Sequence, residues 1–217
     1  MRLGGDAGPL IVIGAGDHAR VVAEAVRALG ATVAGFVAPV PPGTSVSGAP
    51  VLGSDADLPR LRAEGVTHVV LGLGDNRIRA RLAEELLALG FILPAILHPA
   101  AYASPSCILG LGAVLLQMAA VGTEVQVGRF AIINAGAIVE HDGDIGQAAH
   151  VAPGCALAGR VRIGHRTLVG VGTAVRPGIV IGADAVVGAG SVVIRDVPDW
   201  ATVAGCPARL LRARPAA

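Results

Sequence analysis

The chain has 217 residues, weighs 21.5 kDa and carries a net charge of +1. That is enough for one large or two small domains, with no global field to hold nucleic acid or an acidic membrane. All 17 basic residues are Arg, which excludes a Lys nucleophile, a Schiff base and a Walker phosphate loop.

Cys107, Cys155 and Cys206 are too few and too scattered for a disulfide framework or a zinc ribbon, and they point to a reducing compartment. The mean hydropathy of +0.66 is membrane-like. The uncharged stretch from Leu86 to Thr123 is nonetheless broken by Pro94, Pro99, Pro105, Gly110 and Gly112. No apolar run of about 20 residues survives to span a bilayer. Met1 to Pro9 lacks the apolar region and cleavage site of a signal peptide. A soluble, cytoplasmic protein is expected.

The N-terminal third reads as a small α/β unit. Leu10–Ile13 is a buried strand, Gly14-Ala15-Gly16-Asp17-His18-Ala19 a glycine-rich turn, and Arg20–Leu29 a helix ended by Gly30. Ala31–Val37 is a second strand and Thr67–Leu71 a third. Gly72-Leu73-Gly74-Asp75-Asn76 then leads into a helix over Arg77–Leu89, capped by Asp75 or Asn76. The order predicts a small Rossmann-like parallel sheet, with Gly14–His18 and Gly72–Asn76 side by side at the carboxyl ends of its strands. Gly14-x-Gly16 is only part of a dinucleotide fingerprint. Ala19 replaces the third glycine, and no acid ends the second strand. Pro41–Ser45 reads as a loop. Prolines 94, 99 and 105 mark the boundary, giving units 1–95 and 96–217, with a tail from Ala201 that carries Arg209, Arg212 and Arg214.

From Leu109, every sixth residue through Val193 is Leu, Ile or Val, fifteen positions without a gap. The next residue is often Gly, as at Gly110, Gly122, Gly128, Gly146, Gly164, Gly170, Gly182 and Gly188. The fifth is small or branched, from Ala113 to Val197. A period of six is neither helical nor that of a flat strand. It predicts a parallel β-helix of three hexads per triangular turn, aliphatics inside, with Gly supplying the corner dihedrals.

Polar exceptions on such a surface mark chemistry. Asn134, Glu140, His141, Asp142, Asp144 and His150 cluster in neighbouring hexads. A carboxylate bonded to one ring nitrogen of His141 fixes the tautomer and raises the basicity of the other, the arrangement of a general base. No Ser or Cys completes a covalent triad. His141, Asp142 and His150 could in principle hold a metal, but no Cys or second carboxylate spacing supports such a site, and no metal is expected.

The hexads resemble those of the hexapeptide-repeat acyltransferases, whose prism is a left-handed parallel β-helix. The stretch Ile133-Asn134-Ala135-Gly136-Ala137-Ile138-Val139-Glu140-His141-Asp142 resembles the active-site segment of the sialic acid O-acetyltransferase-like family. So do Gly14–Ala19, Gly74-Asp75-Asn76 and Gly205-Cys206-Pro207-Ala208-Arg209. That family includes N-acetyltransferases of nucleotide-linked 4-amino sugars, and the likeness covers nearly the whole chain.

The resemblance implies acetyl transfer from acetyl-CoA to the C4 amine of a nucleotide-linked 4-amino-4,6-dideoxy sugar, with GDP-perosamine the expected acceptor in O-antigen synthesis. It implies His141 as base supported by Asp142, His150 at the thioester, Val171 and Ala189 along the pantetheine arm, and Arg209 toward a CoA phosphate. It implies a sugar-nucleotide site from Gly16, Asp17, His18, Gly74 and Asn134, and a homotrimer with active sites between subunits. Relatives that bind UDP often carry an acidic pair after the Gly-Phe of the second strand. This chain reads Gly35-Phe36-Val37-Ala38-Pro39, which weakens UDP and leaves Asp55 or Asp57 to meet another base. A UDP-amino-sugar acceptor, O-acetylation of a sugar or sialic acid, a non-catalytic nucleotide-sugar scaffold and a metal-dependent hydratase stay open.

Overall fold

The computed structural model describes residues 9–213. The signal-peptide reading of residues 1–8 and Arg214 of the tail lie outside them. The chain divides into two compact units after Pro99, so residues 96–99 cluster with the first unit rather than the second.

In the first unit, β1 (Leu10–Ile13) is buried at every residue because the sheet is covered on both faces. The chain continues through α1 (Asp17–Ala28), β2 (Val33–Val37), β3 (Ser45–Val46), β4 (Ala49–Gly53), α2 (Leu58–Ala63), β5 (His68–Leu71) and α3 (Asn76–Ala88). The sheet order is β3-β4-β2-β1-β5, parallel except for the β3–β4 hairpin. The loop expected over Pro41–Ser45 runs through Thr44, with Ser45 already in β3; the hairpin, and a 3₁₀ turn at Asp55–Asp57 running into α2, follow it without having been expected. Ser47 and Gly48, both at positive φ, turn the hairpin. Asp57 accepts the Ser54 amide at 2.8 Å and pairs with Arg60, which holds its carboxyl below the usual range and commits it to capping. It is not free to read a base.

Gly72 explains how the two loops of this unit come together. A methyl group there would lie 2.6 Å from the Ala19 backbone, so the bare backbone lets α1 settle against the end of β5.

The second unit is a left-handed parallel β-helix. Strands pair with those eighteen residues on, as Ala120 with Ile138 and Ile138 with Ala156. Three sheets result, whose first strands within this unit are Tyr102–Ala103, Ile108–Leu109 and Val114–Leu115. Fourteen of the fifteen hexad aliphatics are at most 3% exposed, and only Leu109 in the first coil is half-buried. Each burial is worth about 1.5–3 kcal/mol. The fifth position is buried throughout, and where it is polar the hydroxyl is satisfied. Thr167 donates to Gly182 O at 2.5 Å and Ser191 to Gly188 O at 2.6 Å.

Glycine plays a different part from the one expected. The corners at positive φ lie three residues after the aliphatic, and fourteen of them from 112 to 190 are six Gly and eight others, including Met118, Phe130 and Asp142. The left-handed region is narrow but open to L-residues there. The Gly that follows the aliphatic is needed for space. A Cβ on Gly110, Gly128 or Gly146 would stand 2.6–2.7 Å from the backbone of the next coil.

The described part of the tail, from Ala201 to Ala213, is paired into the coil. Ala201–Ala204 joins the third sheet beside Val186–Val187, and the chain returns antiparallel as Arg209–Ala213. At the other exposed edge, Asp196 Oδ1 accepts the Val180 amide at 2.8 Å and Asp199 Oδ1 the Ala183 amide at 2.7 Å. One coil earlier, the amide equivalent to Val180's, that of Arg162, goes to the carbonyl of Ile179.

Candidate active site

His141 follows the strand Ile138–Val139, and Asp142 is the corner residue after it, at φ +56. Asp is among the residues that tolerate this backbone best. The turn brings the two side chains together: His141 Nδ1 donates to Asp142 Oδ2 at 2.7 Å, with both side chains about half exposed. The proton is thereby held on Nδ1 and the lone pair on Nε2. An exposed imidazole with its far nitrogen fixed in this way can take a proton from a bound amine or hydroxyl.

Asn134 meets His150 across adjacent coils. Its Oδ1 accepts the Ala135 amide at 2.8 Å, which turns its NH₂ toward His150 Nε2 at 2.9 Å. His150 therefore presents Nε2 to Asn134 and keeps its proton on Nδ1. Val171 and Ala189 lie exposed on one column, with the Val171 carbonyl taken by the Gly190 amide at 2.8 Å. Arg209 opens the final strand and lines a cavity of about 290 Å³ with Val193, Arg195, Asp196 and Leu210. Among the described residues, no three His, Cys, Asp or Glu side chains gather as metal ligands.

In the N-terminal unit, Gly16 is the N-cap of α1 and brings no side-chain cap. Asp17 is exposed and pairs with Arg20. The N-terminus of α3 is different, since Asp75 Oδ1 accepts the amides of Arg77 and Ile78 at 2.9 and 2.8 Å. Gly74 is exposed in the loop before it. Sequence reasoning missed Arg79. It is 1% exposed and donates to Leu73 O, Gly74 O and Asn76 Oδ1, pinning that loop from beneath. Burial brings its guanidinium down to about 10, still charged at neutral pH. His18 is pushed down to about 4, chiefly by burial and then by the Arg79 charge, so it is neutral. An arginine on a helix face carries no motif, and only the fold brings it under the loop.

Residues 9–86 match the PglD N-terminal domain family. A GDP-perosamine N-acetyltransferase of Escherichia coli O157:H7 is 31% identical over 128 residues, 58% of this chain and 56% of that protein. The match thus spans little more than half of that relative. PerB from Caulobacter crescentus, solved with CoA and GDP-perosamine, is 45% identical over 94% of this chain and 97% of its own, with a TM-score of 0.91. The PglB acetyltransferase domain from Neisseria gonorrhoeae FA1090, solved with acetyl coenzyme A, is 40% identical over 94% and 98%, with a TM-score of 0.89. No helix among the described residues is long and apolar enough to cross a membrane. With a PglD-type head, an eighteen-residue coil and near full-length likeness to PerB, the chain belongs to the hexapeptide-repeat sugar N-acetyltransferase family.

Proposed function

We propose that the protein moves the acetyl group of acetyl-CoA to the C4 amine of a nucleotide-linked 4-amino-4,6-dideoxy sugar, GDP-perosamine being the favoured acceptor. The observation that carries this reading is the His141–Asp142 bond, which leaves Nε2 as the lone-pair nitrogen on an exposed ring. The nucleotide and the co-substrate are carried over from the complexes of the relatives.

The C4 amine attacks the thioester carbonyl, forming the C–N bond. His141 Nε2 takes the proton the nitrogen sheds, directly or through water, and Asp142 steadies the imidazolium. The C–S bond breaks, and the CoA thiolate is protonated by the imidazolium or by solvent. His150, oriented by Asn134, meets the thioester region, while Val171, Ala189 and Arg209 receive the rest of CoA. Asn134 then serves through His150 rather than by touching the sugar.

The nucleotide diphosphate is assigned to the turn at Gly16, Asp17 and His18, with Gly74 beside it. The amides at the start of α1 have no side-chain cap, whereas those of α3 are taken by Asp75. Three chains assemble with an active site at each seam. Tyr102, Ala120, Ile138, Ala156, Ala174 and Val192 form one apolar outward column, with Tyr102 at 60% and Ile138 at 43% exposed, which suits burial against a second copy.

The test is CoA release from acetyl-CoA with GDP-perosamine, a UDP-4-amino sugar and sialic acid offered side by side. Release with the GDP sugar is expected. Replacing His141 by Ala should lower the rate at least about 10²-fold, the usual scale for an acid–base group. Unchanged turnover in that variant removes the base assignment, and release with sialic acid alone replaces N- by O-acetylation.

A further inference from the structure

Fifteen positions of the coil stand two residues after a hexad aliphatic, from Leu111 to Arg195. His141 is one of them. The others include Leu111, Gln117, Thr123, Arg129 and His165, and Gly159 is the only glycine in the set. The coil backbone therefore accepts side chains at this position as a rule. Gly159 is also outside the positive-φ residues, so its backbone does not call for glycine.

What sets Gly159 apart is its neighbour. It stands eighteen residues after His141, one full turn on, and the ladder runs through both: the Arg160 amide donates to His141 O at 2.9 Å. The imidazole lies over the bare Cα. A Cβ built at Gly159 would be 2.5 Å from His141 Nε2 and 2.6 Å from Cε1, closer than any real contact. The glycines that follow the aliphatics meet the backbone of the next coil. Gly159 meets the one ring whose Nε2 the proposed reaction uses.

We infer that Gly159 is a positioning residue for His141: the missing side chain is the space in which the imidazole lies, bonded to Asp142 with Nε2 in place. This rests on His141 being the base. The group that must yield to an added methyl is an exposed ring rather than the coil. Gly159→Ala therefore leaves the fold intact and swings the imidazole off Asp142.

The experiment measures kcat, KM for both substrates and thermal midpoint for Gly159→Ala, alone and in a His141→Ala background, with a crystal structure of the single variant. The expected result is a kcat lowered roughly 10- to 100-fold, the scale of an ångström-sized misplacement. KM values and midpoint should stay near those of the parent. Gly159→Ala should cost nothing further once His141 is Ala. The crystal structure should show the Nδ1–Asp142 bond broken. An equal loss in both backgrounds, or a raised KM with kcat kept, means that residue 159 acts on substrate and overturns the inference. So does a ring still bonded to Asp142 in the variant, whatever the activities. If His141→Ala alone keeps full turnover, it is the base assignment that fails, and the ring's displacement is still decided by the crystal structure.

Discussion

His18 shows how a residue that reads as part of a loop motif becomes an electrostatic element. Burial and the Arg79 charge keep it neutral, with a folded pKa of about 4 against an ordinary value of 6.5. The unfolded chain therefore takes up this proton first as pH falls. The stability tied to neutral His18 is complete above pH 6.5 and drains away as pH falls toward 4, by up to about 3 kcal/mol. Denaturant titrations of the parent and of His18→Gln at pH 7.5 and 4.5 should show the parent losing more. Equal losses would mean that His18 does not sense the fold. Arg79 lies 61 residues away, and no local pattern links the pair. His141 and Asp142 are neighbours in sequence, so their bond was legible. Asn134–His150 and His141–Gly159 were legible in principle, because they sit about one eighteen-residue turn apart. They emerge only when the hexads are read as stacked columns rather than as a linear repeat.

At the scale of the element, the hexad pattern determines which residues face inward because each coil repeats the same three faces. The buried aliphatic and fifth positions follow from it, whereas the burial of Leu116, Phe130, Ile132 and Ala148 does not. What periodicity alone misses is why glycine recurs after the aliphatic. The corner residues carry the unusual dihedrals, while these glycines keep successive coils in hydrogen-bonding range. Gly146→Ala would put a methyl 2.7 Å from the Gly164 carbonyl carbon and the His165 amide nitrogen. Such crowding should cost about 1–3 kcal/mol, seen as a lower midpoint in urea. A midpoint equal to the parent's would show that the coils can spread at no cost. In the N-terminal unit the β3–β4 hairpin and α2 escaped sequence reading for the opposite reason. β3 is two residues long, the segment is rich in Pro and Gly, and α2 is six residues. Neither is long enough to show a period.

At the scale of the whole molecule, the outward column of Tyr102, Ala120, Ile138, Ala156, Ala174 and Val192 is an apolar strip that water covers poorly. If three chains bury it, a charge there must be desolvated without a partner. Ile138→Glu should then sediment as a 21.5 kDa species rather than at three times that mass. A variant that still sediments as a trimer would place the contact on another face. The alternation of aliphatic and outward residues made this strip readable. Its occupant was suggested by the family likeness, since one chain's pattern does not say what lies against it.

The carboxylates of Asp196 and Asp199 have a consequence at that same scale. A stack of identical coils has no intrinsic length, because each edge is a template for the next strand, from its own chain or another's. By taking the amides of Val180 and Ala183, these two side chains act as a terminator. They also leave negative charge where an incoming strand would seat. That edge of the coil is thereby closed to a further strand instead of being left as a template for one.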